Sequence, residues 1–187
     1  MPALSRTEEY NGTSWSGGGA LSVNRAYATG SGSQTAAISM GASQDPDRAT
    51  SEEYNGTSWG SGATASVPRY HGACIGTQTS CIWLGNATTT EIYNGSSWSS
   101  DASVTARNYQ VGWGTTARGW FGTGNDGGLR HDDMWTYDGS SWAADTLYPI
   151  ILVTSAASSS AATRSAVIAS GRTGVSSALI TTTYEAT

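Results

Sequence analysis

Lysine is absent from this sequence, and all nine basic residues are arginines. Charged residues make up only 12% of the 187 positions, and the formal net charge is −5. Nucleic-acid binding depends on clustered positive charge, and so does attraction to an acidic membrane surface. The composition therefore disfavours both kinds of partner, and we expect no nucleic acid to bind.

Long apolar runs are missing as well. The longest aliphatic run, from Ile150 to Val153, is far shorter than the roughly 20 residues that span a bilayer, so we expect no membrane insertion. No signal peptide is recognisable, because Met1 to Arg6 leads directly into the first repeat. The expectation is a protein that is not exported by a standard signal.

Cysteine and histidine are scarce. Cys74 and Cys81 flank one predicted hairpin, and they are either small buried apolar residues or partners in a cross-strand disulfide. The two histidines, His71 and His131, are accompanied by no nucleophile elbow, zinc-ligand spacing or phosphate loop. We therefore predict no catalytic residues, no metal site and no cofactor.

What the sequence does contain is a hexapeptide that occurs four times. Its copies run from Tyr10 to Trp15, from Tyr54 to Trp59, from Tyr93 to Trp98 and from Tyr137 to Trp142. Asn-Gly or Asp-Gly between β-forming residues predicts a hairpin with a two-residue turn. In that register Tyr10 faces Thr13 and Glu8 faces Trp15, which places Tyr10 and Trp15 diagonally on one face of the sheet.

A second feature alternates with these hairpins, an arginine followed seven residues later by glycine. It occurs at Arg25 and Gly32, Arg69 and Gly76, Arg107 and Gly114, and Arg164 and Gly171. The sequence around each pair predicts a further hairpin, so that one unit has four short strands in about 40 residues, the period of a propeller blade. Glycines, β-branched residues and turn dipeptides interrupt any helical pattern.

These units resemble kelch repeats. The resemblance lies in the arginine before the inner strand, in the Tyr and Trp of the outer hairpin, and in the single glycines Gly41, Gly85 and Gly122 that end the second strand. Kelch blades usually carry a Gly-Gly pair at that last position. The resemblance implies an all-β protein, a kelch-type β-propeller of about four blades with four antiparallel strands each. More narrowly, the Thr-Glu-Glu-Tyr-Asn-Gly-Thr-Ser-Trp form is similar to short Ser/Thr-rich repeats of marine bacteriophage virion proteins.

The phase of the repeats predicts a single propeller domain over residues 1–187 with one composite blade. Its parts are an outer half-blade at 1–16, complete blades at about 20–60, 61–99 and 100–143, an insertion or arm at 144–160, and an inner half-blade at 161–187. The ring closes either within one chain or between two chains. The interval 144–160 is an extra strand, a packing arm or a linker. In another phase Thr183 begins a third strand, which leaves the N-terminal hairpin to pair elsewhere.

The loops after the second and fourth strands vary between repeats, which is typical of recognition surfaces. The predicted binding residues on these loops and in the third repeat are Asp45, Asp47, Arg48, Asn125, Asp126, Arg130, His131, Asp132, Trp113 and Trp135. Trp113 and Trp135 either form a sugar-stacking platform or pack between blades. The spacing in the loop at 122–133 does not fit a calcium loop. The recurring arginines are interpreted as structural, each reaching backbone carbonyls or the Glu of a neighbouring blade.

The sequence thus predicts a non-catalytic structural or attachment protein, a bacteriophage virion component such as a capsid decoration, tail or fibre-associated part. The expected partners are other virion proteins or copies of the chain itself, with a host surface glycan as a further partner. The expected location is the virion, assembled in the host cytoplasm. The alternatives are a free, lectin-like carbohydrate-binding propeller and a degenerate propeller enzyme.

Overall fold

A computed structural model describes residues 3–42 and 47–145 together with strands at 152–153, 156–158, 167–173 and 179–185. Only the backbone pairing of those last four strands is described. The described residues form antiparallel β-sheets, and their one helical element is a short 3₁₀ turn at Asp47–Ala49. The prediction of an all-β protein is confirmed.

Three four-stranded sheets form the body of the protein, each a meander in chain order. The first sheet contains β3 (Thr29–Ser33), β4 (Ala36–Met40), β5 (Ser51–Tyr54) and β6 (Trp59–Ser61). The second contains β7 (Ala73–Thr77), β8 (Ser80–Leu84), β9 (Thr89–Tyr93) and β10 (Trp98–Ser103). The third contains β11 (Val111–Gly114), β12 (Gly119–Gly122), β13 (Met134–Tyr137) and β14 (Trp142–Ala144). The three sheets run from Thr29 to Ser61, from Ala73 to Ser103 and from Val111 to Ala144.

Two smaller groups of strands lie at the ends of the chain. At the N-terminal end, β1 (Glu8–Tyr10) and β2 (Trp15–Gly17) pair only with each other among the described strands. At the C-terminal end, β15 (Leu152–Val153), β16 (Ala156–Ser158), β17 (Val167–Thr173) and β18 (Leu179–Glu185) form one sheet. In that sheet β17 pairs with β15 and β16 along one edge and with β18 along the other. The interval 144–160 therefore contributes two short strands.

The predicted register of the Tyr–Trp hairpins is wrong. Tyr10 lies directly opposite Trp15, so the turn spans four residues and not two. The physical reason is the Asn11 side chain, whose Oδ1 accepts hydrogen bonds from the Thr13 and Ser14 amides at 2.9 Å each. An asparagine that caps the turn with its side chain cannot also stand at the turn's centre, which moves the centre one residue along the chain. The other three hairpins have the same register.

The second sheet is packed between the other two. One of its faces, which carries Cys74, Trp83 and Trp98, packs against Ile38 and Met40 of the first sheet. The opposite face places other side chains against the third sheet: Ile75, Ile82 and Leu84 contact Phe121 and Tyr137. Cys74 and Cys81 are buried free thiols, and burial raises the pKa of Cys74.

The first strands of the three complete sheets are neighbours, since β3 contacts β7 and β7 contacts β11, and β11 also contacts β16 of the C-terminal sheet. This order is propeller-like, but the described strands form no closed ring. The composite blade predicted from residues 1–16 and 161–187 is not present as one sheet among them, because β1 and β2 do not pair with β17 or β18.

Candidate functional site

Each of the three sheets encloses a buried arginine that pairs with an acid of the same sheet. Arg25 contacts Glu52 at 3.2 Å, Arg69 contacts Glu91, and Arg107 contacts Asp133 at 2.5 Å. The arginines also donate to backbone carbonyls, such as that of Gly41 at 3.0 Å from Arg25. The structural role predicted for these arginines therefore has a geometric basis, although the acid belongs to the arginine's own sheet and not to a neighbouring one.

The buried acids also hold the chain that leads into each sheet. Glu91 accepts hydrogen bonds from the Ser66 amide at 2.7 Å and the Val67 amide at 3.2 Å. Burial opposes ionisation of Glu91, but the bonds from Arg69 and from these amides outweigh it and lower its pKa. Each of the two Arg–Glu pairs thus joins an incoming loop to the third strand of its sheet.

The third sheet departs from this pattern. Trp135 stands where the first two sheets carry Glu, two residues before the hairpin tyrosine. The carboxylate comes instead from Asp133, which accepts hydrogen bonds from Arg107 and, at 2.8 Å, from the Trp135 indole N–H. Burial opposes ionisation of Asp133, yet the bond from Arg107 and that from Trp135 lower its pKa.

Within the loop at 122–133, several polar groups bond to one another. Asp126 accepts bonds from the Gly128 and Leu129 amides and lies 3.1 Å from His131 Nε2. The amides of Leu129 and Gly128 together with His131 lower the pKa of Asp126 to about 2. In the part of the chain that the structure describes, no three His, Cys, Asp or Glu side chains are grouped so that they could hold a metal ion.

The remaining predicted loop residues do not converge on one site. Asn125 forms backbone bridges with both Asn108 and the exposed Arg130, and Asp132 is half-buried. Asp45 lies outside the described residues, and Asp47 begins the 3₁₀ turn. The Arg48 guanidinium lies 4.9 Å from the centre of the Tyr70 ring.

The aromatic residues of the third repeat are used in packing. Trp113 is only 4% exposed and stacks on Trp120, with ring centres 6.1 Å apart. Trp135 is half-buried and stacks on Phe121 at 6.2 Å. In this structure Trp113 has no exposed face to offer a sugar.

An aromatic cluster that the sequence did not predict lies where the three sheets begin. Tyr27, His71 and Tyr109 each stand two residues after a recurring arginine and adopt positive φ angles of 61°, 53° and 60°. Their backbones form a ladder, with the His71 amide donating to the Tyr27 carbonyl and the Tyr109 amide to the His71 carbonyl. The His71 ring lies 4.0 Å from that of Tyr27 and 4.1 Å from that of Tyr109.

Positive φ is costly for residues other than glycine, and such strain persists only where the surroundings enforce it. Burial lowers the pKa of His71, which favours the neutral form of its ring. The signal that could have revealed the cluster was an aromatic residue at the same offset from three arginines. Because this cluster joins the three sheets through backbone bonds and ring contacts, its observed role is packing.

The N-terminal hairpin carries the most exposed aromatic pair of the described residues. Tyr10 is 47% exposed and Trp15 is 68% exposed, with their ring centres 5.2 Å apart. The equivalent tyrosines of the three complete sheets are buried. The aromatic face of β1 and β2 therefore lacks the cover that its counterparts have.

Contacts with the first sheet show where this hairpin belongs. Tyr54 donates its hydroxyl hydrogen to Glu9, just as Tyr93 donates to Glu53 and Tyr137 donates to Asp101 at 2.6 Å. In the last two cases the acceptor lies in the outer hairpin of the preceding sheet. By the same rule β1 and β2 are the outer half of a sheet that precedes the first one. Among the described strands, none pairs with β1 and β2 as the inner half of that sheet.

Open space lies on the side where those inner strands would be. A cleft of about 280 Å³ lies between the hairpin and the first sheet, lined by Glu9, Tyr10, Gln34 and Tyr54 among others. A second, more open depression of about 430 Å³ runs over β3 and β4. In the complete sheets, the corresponding surface is covered by the inner strands of the sheet before.

No family model matches this chain, and no curated protein matches its sequence. Among the described residues, no helix has the length and apolar character needed to cross a membrane.

The open half-sheet at the N-terminal end is thus the candidate functional site. It combines an exposed aromatic pair, an edge of β1 that pairs with no other described strand, and an adjoining cleft. Backbone donors and acceptors along a free edge pair readily with another strand, so this arrangement is suited to binding protein.

Proposed function

We propose that this protein is a non-catalytic structural or attachment component of a larger assembly. The observation that carries the proposal is the open half-sheet, whose Tyr10 and Trp15 are exposed although the equivalent tyrosines of the three complete sheets are buried. An exposed aromatic patch beside an unpaired strand edge is typical of an interaction surface. The buried arginine–acid pairs support the non-catalytic part of the proposal, because their charged groups bond to each other and to the backbone of the sheets.

The assembly that we propose is a bacteriophage virion, in which the protein is a capsid decoration, tail or fibre-associated part. The propeller-like order of the sheets fits this proposal, and its specific support is the resemblance of the repeats to those of phage virion proteins. The proposed partners are other virion proteins or copies of the chain, and a host surface glycan is a further partner to be tested.

The test is mass spectrometry of gradient-purified phage particles that encode this chain. We expect the protein in a fixed ratio to the major capsid protein, because a structural component occupies a defined number of sites. A glycan array with the purified protein is run in parallel. Absence from the particles, together with a specific sugar signal that is lost in Trp135→Ala, would replace the proposal with a carbohydrate-binding function.

A further inference from the structure

We propose that Asn11 is a modification site, at which the protein converts this asparagine to aspartate without an enzyme. The inference goes beyond the proposed function and does not depend on it. It rests on a comparison of two stretches with identical sequence, residues 8–15 and 52–59. From these stretches alone Asn11 and Asn55 would have the same reactivity, but the structure places them in different surroundings.

The reaction is an attack by the backbone on the side chain. The amide nitrogen of Gly12 adds to Cγ of Asn11, the Cγ–Nδ2 bond breaks, and Nδ2 leaves as ammonia with the proton of the Gly12 amide. The product is a cyclic succinimide. A water molecule opens it to aspartate, or to the isomer whose chain runs through the side-chain carboxyl. A neighbouring nucleophile makes such a step unimolecular, and glycine brings no side chain to obstruct it.

The turn prepares the Asn11 side-chain carbonyl for this attack. Its Oδ1 accepts hydrogen bonds from the Thr13 and Ser14 amides at 2.9 Å each. Negative charge develops on Oδ1 when the nitrogen adds, and two amide donors already aimed at that atom stabilise it, as in an oxyanion hole. The Gly12 amide donates to none of the described residues, so no hydrogen bond to them restrains its nitrogen.

The Asn55 turn has the same internal geometry. Its Oδ1 accepts hydrogen bonds from the Thr57 amide at 3.0 Å and from the Ser58 amide at 2.9 Å. The φ angle of Gly56 is 90°, and that of Gly12 is 94°. A difference in reactivity between the two turns must therefore come from what surrounds them.

The surroundings differ in how firmly they hold the glycine. A Cβ placed on Gly56 would lie 3.4 Å from the Thr35 carbonyl oxygen, because this turn packs on the turn between β3 and β4. A Cβ on Gly12 would meet none of the described atoms within 4 Å. Gln78 also donates to the Tyr54 carbonyl at 2.7 Å and so holds the covered turn. Ring formation requires the glycine nitrogen to move toward the asparagine side chain, and a turn without such neighbours moves more readily.

The third Asn–Gly turn resembles the covered one. A Cβ on Gly95 would lie 3.2 Å from the Thr79 carbonyl oxygen. Gly12 is exposed, whereas Gly56 and Gly95 are half-buried, so water also reaches the first turn more easily. We therefore expect the fastest conversion in the first turn and slower conversion in the other two.

The aspartate product fits this turn. The fourth hairpin carries Asp138 at the same position, and its Oδ1 accepts hydrogen bonds from the Ser140 amide at 2.9 Å and the Ser141 amide at 2.8 Å. The bonds from Ser141 and Ser140 lower the pKa of Asp138 to about 2, so the turn holds an ionised carboxylate. The same product in the first hairpin would add a negative charge beside Glu8 and Glu9. The conversion thus changes the charge of the open half-sheet as the protein ages.

The test follows three asparagines in one sample. The purified protein is incubated at mildly alkaline pH in water enriched in heavy oxygen, which labels each carboxylate that a succinimide releases. Because the chain has no lysine, trypsin cuts only after arginine and releases the three Asn–Gly turns on separate peptides, 7–25, 49–69 and 70–107. By mass spectrometry we expect labelled product at Asn11 to form at least about tenfold faster than at Asn55 or Asn94.

Two controls separate the effect of the fold from that of the sequence. In protein unfolded by urea, Asn11 and Asn55 should react at rates within about twofold of each other, because their flanking residues are identical and neither turn is covered. The variant Asn11→Asp supplies the product standard. Its thermal unfolding should match that of the wild type, because the fourth hairpin already accommodates an aspartate in this turn.

Four results would overturn the proposal. Equal rates at Asn11 and Asn55 in the folded protein would do so, and so would a faster reaction at Asn55. A difference that persists in urea would show that the cover of the turn is not its cause. Marked destabilisation by Asn11→Asp would show that the first turn does not hold the product.

Discussion

The N-terminal hairpin and the outer hairpin of the second sheet have the same sequence pattern and the same local structure. The Asn11 amide donates to the Ser14 carbonyl at 3.2 Å, and the Asn94 amide donates to the Ser97 carbonyl at 3.3 Å. The Tyr–Trp ring centres are 5.2 Å apart in the first and 4.9 Å apart in the second. Yet Trp15 is 68% exposed, whereas Trp98 is 9% exposed. The difference shows that the hexapeptide determines the hairpin, and that neighbouring sheets decide its burial.

The largest expected difference between the two hairpins concerns their glutamates. Glu91→Gln leaves the buried guanidinium of Arg69 without its countercharge, and we expect a loss of about 3–5 kcal/mol in the free energy of unfolding. Glu8→Gln affects only an exposed pair with Arg6, for which the expected loss is below about 1 kcal/mol. Urea denaturation at neutral pH measures both, at concentrations where copies are dissociated. Equal losses would contradict the comparison.

Glu91 should also make the free energy of unfolding depend on pH. Because the pKa of Glu91 is lower in the folded state, its contribution to stability is complete above the unfolded-state value of about 4.3 and is lost as the pH falls through the folded-state pKa. The wild-type protein should therefore lose stability over this acid range more steeply than Glu91→Gln. Parallel curves for the two proteins would show that the Glu91 carboxylate is not responsible.

A smaller difference is expected for the tryptophans. Trp98→Ala removes a ring that packs against Tyr93 and Trp83 and whose N–H donates to the Ala63 carbonyl at 3.2 Å. We expect a loss of about 3 kcal/mol in the free energy of unfolding. Trp15→Ala should change the stability of a single copy by less than about 0.5 kcal/mol, because an exposed side chain has few contacts to lose. Thermal unfolding of dilute protein distinguishes the two.

The smallest expected difference between the two hairpins concerns the asparagines of their turns. Asn94→Ala and Asn11→Ala each remove a side-chain oxygen that accepts hydrogen bonds from two backbone amides. We expect each to cost about 1 kcal/mol locally, because the turn depends on these bonds and not on burial. Hydrogen exchange of the flanking strand amides measures the local opening of each hairpin. If Asn94→Ala strongly destabilised its hairpin and Asn11→Ala had no effect, the stability of the turn would depend on burial as well as on the asparagine bonds.

Much of the fold was predictable because its signals are local. The position of the Tyr–Trp hairpins, the strand pairs around each Arg–Gly segment and the absence of helical patterns can all be read within short windows. The turn register was missed because an asparagine before glycine fits two geometries, and the side-chain bonds of Asn11 select the longer one. The acid of the third sheet was missed because Trp135 stands at the position where the other repeats carry Glu. The carboxylate that bonds to Arg107 comes from Asp133, two residues earlier, and only the fold reveals this.

The candidate site was harder to predict for a related reason. The loop residues Asp126 and His131 have the side chains of a binding site, but the structure places them in contact with each other. Exposure of Tyr10 and Trp15 could not be read from a hexapeptide whose tyrosine is buried in its other three copies. It depends on which strands lie beside β1, and that is a property of distant parts of the chain.

By itself, the sequence determined the unit of this protein: an all-β repeat in which an arginine-led hairpin is followed by a hairpin with a Tyr–Trp pair. These features depend on turn chemistry and on alternation along a strand, which act over a few residues. Only the tertiary structure decided that Arg25, Arg69 and Arg107 pair within their own sheets, that the second sheet lies between the other two and that the first hairpin is left half-covered. The reason is that burial and pairing depend on neighbours that are remote in the chain.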